Sequence, residues 1–186
     1  MDRIILASAS PRRKQLLEWA EIPFDVLPSD AEELVPADLP VSEIPVFLAS
    51  QKASAVRKRV EAGKIILAAD TIVVLDHQVL GKPTDRSDAI RMLSHLSGRV
   101  HEVVTGVSLT SEKKEILFAE TTRVRFHPLT RVTIEYYVDH YQPYDKAGAY
   151  AIQEWIGVTG IHSIDGDFYN VMGLPVSRVL QELYTF

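Results

Sequence analysis

Cysteine is absent from the 186-residue sequence, which excludes disulfide bonds, thiolate metal sites and cysteine nucleophiles. Long hydrophobic runs are missing as well: no stretch is long enough to span a bilayer, and the N-terminal apolar run is too short for a signal peptide. The six histidines form no i,i+4 pair of the kind that binds zinc, so we expect packing or surface roles for them. These absences predict a cytoplasmic protein without a membrane partner.

The sequence also has no excess of positive charge. It contains 20 Lys and Arg and 25 Asp and Glu, which gives a formal net charge of -5. Proteins that bind nucleic acid generally carry a basic field, so we expect no nucleic-acid partner and only a local anion site. The 46% apolar content is enough for a substantial core. We expect one domain over residues 1–186, or two closely packed lobes. The sequence neither requires nor excludes a homodimer.

Residues 8–14, SASPRRK, lie between an apolar run and a helical pattern, which predicts a strand, a tight turn and a helix. Ser10 is a good N-cap, and Pro11 supplies a helical φ where no donor is needed. Three cations in the first turn oppose the helix dipole. A bound phosphate would remove that penalty; the alternative is a solvated basic helix end.

A long helix is predicted from an N-cap at Ser42 to about Glu61, and Lys52 lies beside its apolar stripe. Lys52 is therefore either partly buried or packed along its stem with its ammonium in water. Three acids precede this helix in a proline-rich loop and are equivalent at the level of sequence: Asp30, Glu32 and Glu33.

Asp70 interrupts an apolar strand pattern over residues 65–75. Burying a carboxylate is costly unless it is paired or bound to a cation, so Asp70 is a candidate functional acid. The alternative is a structural carboxylate that caps a bulge or turn. A hairpin follows, and Lys82 in its closing loop is a candidate to lie on the same side as Asp70.

Further along the chain, the pattern predicts a helix over residues 85–96, two long strands over 100–109 and 116–126, and a helix capped by Thr130. In this last helix we expect Val132, Tyr136 and Tyr137 to pack into the core. A run of small residues then leads to Gln153, whose amide offers a donor and an acceptor to a planar base. The alternative for this run is a tight helix-packing contact.

The ordered set of motifs resembles the Maf (septum-formation inhibitor) family, and the match covers nearly the whole chain. The motifs that carry it are SASPRR at 8–13, KA at 52–53, ADT at 69–71, GKP at 81–83, SG at 97–98, TG at 105–106, DKAGAY at 145–150, IQ at 152–153 and VMGLP at 171–175. The resemblance implies an α/β fold, inosine triphosphatase-like, with an elongated mixed sheet flanked by helices and two lobes around a central cleft.

The resemblance also implies an activity: a nucleoside triphosphate pyrophosphatase that depends on a divalent metal, Mg²⁺ or Mn²⁺. Arg12, Thr71 and Gln153 resemble the branch that acts on dTTP and UTP, with room for modified pyrimidine triphosphates. The sequence departs from the family pattern at residues 154–156, EWI, where small residues are expected.

Roles follow from the resemblance residue by residue. The resemblance makes Asp70 the expected base. Asp70 with Glu33 is also the best available pair of carboxylates for a hard cation, so we expect these two as the metal ligands; whether Asp70 is base, ligand or both stays open at the level of sequence. The expected substrate-binding residues are Ser8, Arg12, Arg13, Lys52, Thr71, Lys82 and Gln153. Two other functions remain open from the sequence: a nucleotide-binding regulator of septum formation without turnover, and a general phosphatase.

Overall fold

The computed structural model describes residues 3–186, which form seven strands and seven α-helices. The strands are β1 (Ile4–Leu6), β2 (Phe24–Val26), β3 (Ile66–Leu75), β4 (Gln78–Leu80), β5 (Val100–Thr110), β6 (Glu115–Phe126) and β7 (Ile161–Asp165). The helices are α1 (Pro11–Trp19), α2 (Ile44–Arg57), α3 (Arg86–Leu96), α4 (Arg131–Tyr141), α5 (Trp155–Gly160), α6 (Phe168–Met172) and α7 (Val176–Tyr184). No helix within the described range is long and apolar enough to cross a membrane.

The strands form one mixed sheet in the order β2-β1-β3-β5-β6-β7, with β4 paired to β3. β1 pairs in parallel with β2 and β3, and each parallel step is made through a helix, α1 or α2. β3 and β4 are antiparallel, as are β6 and β7. Asp76 and His77 both have positive φ, 50° and 63°, which is the conformation of a two-residue type I′ hairpin. The expected mixed α/β sheet flanked by helices is confirmed.

The chain divides into two compact units. The first contains the residues up to Thr71, together with Thr105–Glu120 and Gly173–Phe186. The second contains Ile72–Val104 and Thr121–Met172. Strands β3, β5 and β6 contribute residues to both. The proposed functional residues therefore belong to two groups, and each is described within its own unit.

In the first unit, small side chains let α2 pack closely on the sheet. Ala53 and Val56 of α2 are fully buried against a cluster from β1, β3 and the residue after β1: Ile5, Ala7, Ile66 and Ala68. Alanines on both surfaces shorten the distance between helix and strand. Lys52, next to Ala53, is carried close to β3 by this packing.

Gly106 of β5 marks another close approach, because a Cβ built on it would lie 2.2 Å from the backbone of Pro45 and Val46 in the first turn of α2. We expect Gly106→Ala to destabilise the protein by about 1–3 kcal/mol, the usual range for overpacking, and to lower the urea midpoint. Gly81→Ala is the matched control, since a Cβ added at Gly81 would have no atom within 4 Å and the residue has no positive φ. Equal midpoints for the two variants would contradict this view of the contact.

The predicted start of α2 is wrong. Ser42 does not cap the helix; α2 begins at Ile44 after Glu43, whose side chain makes no capping bond, and it ends at Arg57 rather than near Glu61. Pro45 explains the later start, because proline is favoured in the first turn, where its missing N–H is not needed.

The predicted packing of α4 is right for one residue of three. Tyr137 is fully buried, but Val132 is 76% exposed and Tyr136 is 43% exposed. Tyr136 stacks on His140 with ring centroids 4.1 Å apart and lies 4.9 Å from the ring of Trp155. Tyr136 therefore lies on the exposed side of α4, although its helical spacing predicts that it packs into the core.

Candidate active site

The first unit holds a cation between two carboxylates. The Lys52 ammonium lies 2.6 Å from Asp70 Oδ1 and 2.7 Å from Glu33 Oε1. The Lys52 and Asp70 side chains are only 14% and 13% exposed, whereas Glu33 is 57% exposed. A charge so removed from water needs a partner of opposite sign. Lys52 is thus partly buried and ion-paired, which is the first of the two alternatives that the sequence leaves open.

Asp70 is positioned by strand β3. The four residues before it, Ile66 to Ala69, are fully buried, so the strand carries the acid out of an apolar core. Asp70 Oδ1 accepts a hydrogen bond from Lys52. The alternative in which Asp70 caps a turn or bulge is not what the structure shows, because its carboxylate is paired with a side chain from α2.

Of the three acids in the preceding loop, Glu33 is the one that reaches Lys52. Asp30 lies instead 3.6 Å from Arg59 with its side chain 76% exposed, and Glu32 lines a shallow hollow beside α2. Sequence could not rank these acids because the choice depends on a contact with a residue about twenty positions away.

Arg13 is held by neutral acceptors from three segments of the first unit. Its Nε donates to the Gly173 carbonyl at 2.8 Å, Nη1 to Ser8 Oγ at 3.2 Å and Nη2 to Thr71 Oγ1 at 3.1 Å. Burial lowers the pKa of Arg13 from its ordinary value, and the negative charge of Asp70 opposes that shift. The result is a fixed guanidinium charge on α1, oriented by hydroxyl and carbonyl groups.

Ser8 and Thr71 thus contact Arg13. Ser8 is buried, and its Oγ also accepts from the Ser10 N–H at 3.2 Å. The Thr71 hydroxyl lies 2.9 Å from the hydroxyl of Thr105, a fully buried residue of β5. Both hydroxyls therefore help to orient the arginine, a contact that their motifs do not indicate, while their expected binding of substrate stays a prediction. Ser10 caps α1 as predicted, accepting from the Arg13 N–H at 3.5 Å.

Arg12 also lies in the first turn of α1, where it is partly exposed. No acid occurs in that turn. Cations at a helix N-terminus are unfavourable by roughly 0.3–1 kcal/mol each at low salt, and the structure places all three cations of residues 12–14 in the first turn of α1, as the sequence predicts.

The second unit contains Lys82 and Gln153, both exposed. The loop that carries Lys82 is joined to the segment before Gln153 by a backbone hydrogen bond from Gly148 N–H to the Gly81 carbonyl, 3.0 Å long. Gly148 has a φ of +68°, and a Cβ there would come within 3.1 Å of the Val73 side chain. The glycine is required for both reasons.

The segment over residues 146–154 is anchored at further points. The Tyr150 hydroxyl lies 2.7 Å from His101 Nε2 in a buried cluster with Phe126. Burial lowers the pKa of His101 to about 4, so the imidazole is neutral at physiological pH. The Tyr137 hydroxyl accepts from the Ala151 N–H at 3.2 Å and donates to the Glu154 carboxylate.

Sequence reasoning misses these anchors. From the sequence, Tyr137 is expected in the core without a polar role, and Glu154 is only a departure from the family pattern. The one available indication is that a charged residue follows Gln153 directly and precedes the apolar start of α5.

No group of three or more His, Asp or Glu side chains suited to a metal ion occurs within residues 3–186. Glu33 and Asp70, however, each place an oxygen within 2.7 Å of the same Lys52 nitrogen. The two carboxylates therefore lie on either side of one ammonium, and carboxylate oxygens are the ligands that a hard cation such as Mg²⁺ takes together with phosphate and water.

The chain belongs to the Maf family. The family model described as "Maf-like protein" matches residues 3–186. A dTTP/UTP pyrophosphatase of Bacteroides thetaiotaomicron is 49% identical over 97% of this chain and 94% of its own length. Proteins of the same name from Cytophaga hutchinsonii and Porphyromonas gingivalis are 51% and 45% identical, over 97% and 99% of this chain and 82% and 94% of their own lengths.

Two solved structures match part of this chain at low sequence identity. One is the Ham1 protein of Staphylococcus aureus, at 14% identity and a TM-score of 0.47, covering 67% of this chain and 72% of that one. The other is a nucleoside-triphosphatase / dITP/XTP pyrophosphatase of Mycobacterium abscessus, at 18% identity and a TM-score of 0.45, covering 69% and 76%.

Proposed function

We propose that this Maf protein is a nucleoside triphosphate pyrophosphatase that converts dTTP and UTP to the monophosphate and pyrophosphate. The observation that carries the proposal is the Lys52 ammonium held between Asp70 and Glu33, in the same unit as the fixed charge of Arg13. The choice of substrates is supported by relatives named dTTP/UTP pyrophosphatase that are 45–51% identical over nearly the whole chain.

The reaction is addition of water to the α-phosphorus with cleavage of the bond to the bridging oxygen between the α- and β-phosphates. Pyrophosphate leaves with that oxygen, and the water proton passes to a base. We assign the base to Asp70. Its Oδ1 is held by Lys52, which orients the carboxylate and leaves Oδ2 to accept the proton from water.

Neutralising the triphosphate is the other requirement, because negative charge grows on the leaving pyrophosphate. Arg13 has five N–H donors, of which three are used by Gly173, Ser8 and Thr71. We assign the remaining two to phosphate oxygens. Arg12 and Lys82 are each assigned to phosphate binding from the family resemblance.

A divalent cation, Mg²⁺ or Mn²⁺, completes the proposed site, with Asp70 and Glu33 as the residues that would hold it. When bound, such an ion supplies positive charge that offsets the charge of the triphosphate. Without it, Lys52 is the group that keeps these two carboxylates together.

A panel of nucleotides tests the proposal: dTTP, UTP, CTP, dATP and GTP, each with Mg²⁺ or Mn²⁺, with products separated by anion exchange. We expect pyrophosphate and monophosphate from dTTP and UTP. Orthophosphate would indicate a general phosphatase instead. Binding without turnover would indicate the regulatory function, which the names of the relatives do not favour.

Gln153 is the proposed reader of the base, since its amide can pair with the O4/N3 edge shared by thymine and uracil. Because the side chain is exposed and no partner fixes its amide among the described residues, the amide is free to turn, and we expect only moderate discrimination. Gln153→Ala should lower the ratio of kcat/KM for dTTP over CTP by about tenfold. Gln78→Ala, at an exposed position of β4, is the control. An unchanged ratio in Gln153→Ala would exclude this role.

A further inference from the structure

Glu154 occupies the N-cap position of α5 but does not cap it. Its side chain makes no capping hydrogen bond, and glutamate is not among the residues that favour this position. The carboxylate is turned inward instead. Oε2 accepts a hydrogen bond from the Tyr137 hydroxyl, and Oε1 lies 3.4 Å from the Lys146 ammonium. The side chain is only 24% exposed, so the Glu154 carboxylate is largely shielded from water and contacts Tyr137 and Lys146 instead.

Tyr137 links the two sides of Gln153. Its single hydroxyl donates to Glu154, one residue after Gln153, and accepts from the N–H of Ala151, two residues before it. The ring is fully buried in α4. Burial, followed by the hydrogen bond with Glu154, raises the pKa of Tyr137, so the hydroxyl stays protonated and keeps donating.

Lys146 closes the arrangement. Its ammonium lies 2.7 Å from Asp145 Oδ1 as well as near Glu154, and its side chain is 11% exposed. The ion pair with Glu154 connects the two ends of residues 146–154. Since Gly148 is bonded to Gly81 within this stretch, the backbone on both sides of Gln153 is fixed, although the Gln153 side chain itself is exposed.

We propose that Glu154 and Tyr137 are positioning residues that set base selectivity by fixing the backbone from which Gln153 projects. This inference rests on the proposed function only in taking Gln153 as the residue that meets the base. An exposed, rotatable amide discriminates between bases only if its Cα is held still, because each error in placement weakens both of its hydrogen bonds.

The test uses Tyr137→Phe, which keeps the buried ring and removes the hydroxyl, and Glu154→Gln, which keeps the shape and removes the charge. Calorimetry measures the binding of three ligands: a dTTP analogue with nitrogen bridging the α- and β-phosphorus, the matching CTP analogue, and pyrophosphate alone. Tyr141→Phe is the matched control, because Tyr141 lies on the same helix, stacks on Tyr137 at 5.0 Å and is 37% exposed.

We expect the preference for the dTTP analogue over the CTP analogue to fall in both variants toward the value for Gln153→Ala, a loss of up to about tenfold. Affinity for pyrophosphate should stay within about twofold of wild type, since pyrophosphate has no base. Combining Tyr137→Phe with Gln153→Ala should give no further loss, because both act through the same contact.

An unchanged preference in folded Tyr137→Phe and Glu154→Gln, or an equal loss of pyrophosphate binding, would overturn the inference. Additive losses in the double variant would do so as well. These results are independent of turnover: a wild-type protein that binds the dTTP analogue selectively but releases no pyrophosphate from dTTP would refute the proposed function and leave this inference standing.

Discussion

Asp70→Asn is expected to lower kcat for dTTP by about 10²–10⁴-fold, the range found when general acid or base catalysis is removed. Asparagine keeps the shape of the side chain and an oxygen to accept from Lys52, but it cannot take a proton from water. Glu33 still pairs with Lys52 in this variant. We therefore expect a loss of stability near 1 kcal/mol, which is roughly 2–4 °C in Tm for a chain of this size.

Asp139→Asn is the control for the chemical change itself. Asp139 lies on α4 and pairs with Arg86 at 2.6 Å on the surface, so its substitution should leave kcat unchanged. Steady-state kinetics with dTTP and thermal melts on both variants separate catalysis from folding. Activity of Asp70→Asn within about tenfold of wild type would remove Asp70 from the role of base.

Lys52→Met is expected to produce the second large effect, a loss of about 10²–10³-fold in kcat/KM, because it removes the ammonium that orients the carboxylate of Asp70, the assigned base. Methionine fills similar space without charge, so Asp70 and Glu33 lose the cation between them. Two nearby carboxylates without a cation repel each other, and a divalent ion relieves that repulsion. Mg²⁺ or Mn²⁺ should therefore raise Tm more in Lys52→Met than in wild type.

Lys58→Met provides the comparison, since Lys58 is exposed at the C-terminal end of the same helix. It should behave like wild type in both kinetics and metal-dependent melting. A metal-dependent shift in Tm no larger in Lys52→Met than in wild type would mean that Lys52 does not offset the charge of the two carboxylates, and no shift in either protein would remove them as the ion's ligands. Normal kcat/KM in that variant would remove Lys52 from the reaction.

The local elements were predictable because their causes are local. Ser10 with Pro11 specifies the start of α1, and Thr130 caps α4 as expected. The hairpin predicted after the apolar strand pattern lies at Asp76 and His77, between β3 and β4. Asp70 stands out for the same reason, since a carboxylate within an apolar strand needs a compensating partner wherever the strand is placed.

The errors arose where the outcome depends on distant contacts, where the local pattern is weak, or where two local signals compete. An apolar residue at the correct helical spacing packs only if another element covers that side, and Val132 remains 76% exposed. Helix α5 has six residues, two of them glycine, so it gives too short and weak a periodic pattern to predict. The start of α2 is set by Pro45, which outweighs the hydroxyl of Ser42.

The residue types of the candidate site were predictable from the sequence, but their side-chain partners were not. Lys52 and Asp70 could be named individually, but not that they form one ion pair with Glu33. The resemblance assigns Thr71 and Ser8 to substrate, which stays a prediction, and the structure adds that their hydroxyls contact Arg13. Arg13 and Thr71, for example, are more than fifty positions apart in the sequence. The pattern of a single sequence holds no information about side-chain contacts between such distant residues.

Hydrolysis of dTTP in ¹⁸O-labelled water tests the central claim most directly. The wild-type protein is incubated with dTTP and a divalent cation, and dTMP and pyrophosphate are analysed by mass spectrometry after a single turnover. Attack at the α-phosphorus predicts one ¹⁸O in the phosphate of dTMP and none in pyrophosphate. Label in pyrophosphate would place the attack on the β-phosphorus, and labelled orthophosphate with dTDP would place it on the γ-phosphorus. Either result would contradict the proposed reaction, in which water attacks the α-phosphorus and pyrophosphate leaves.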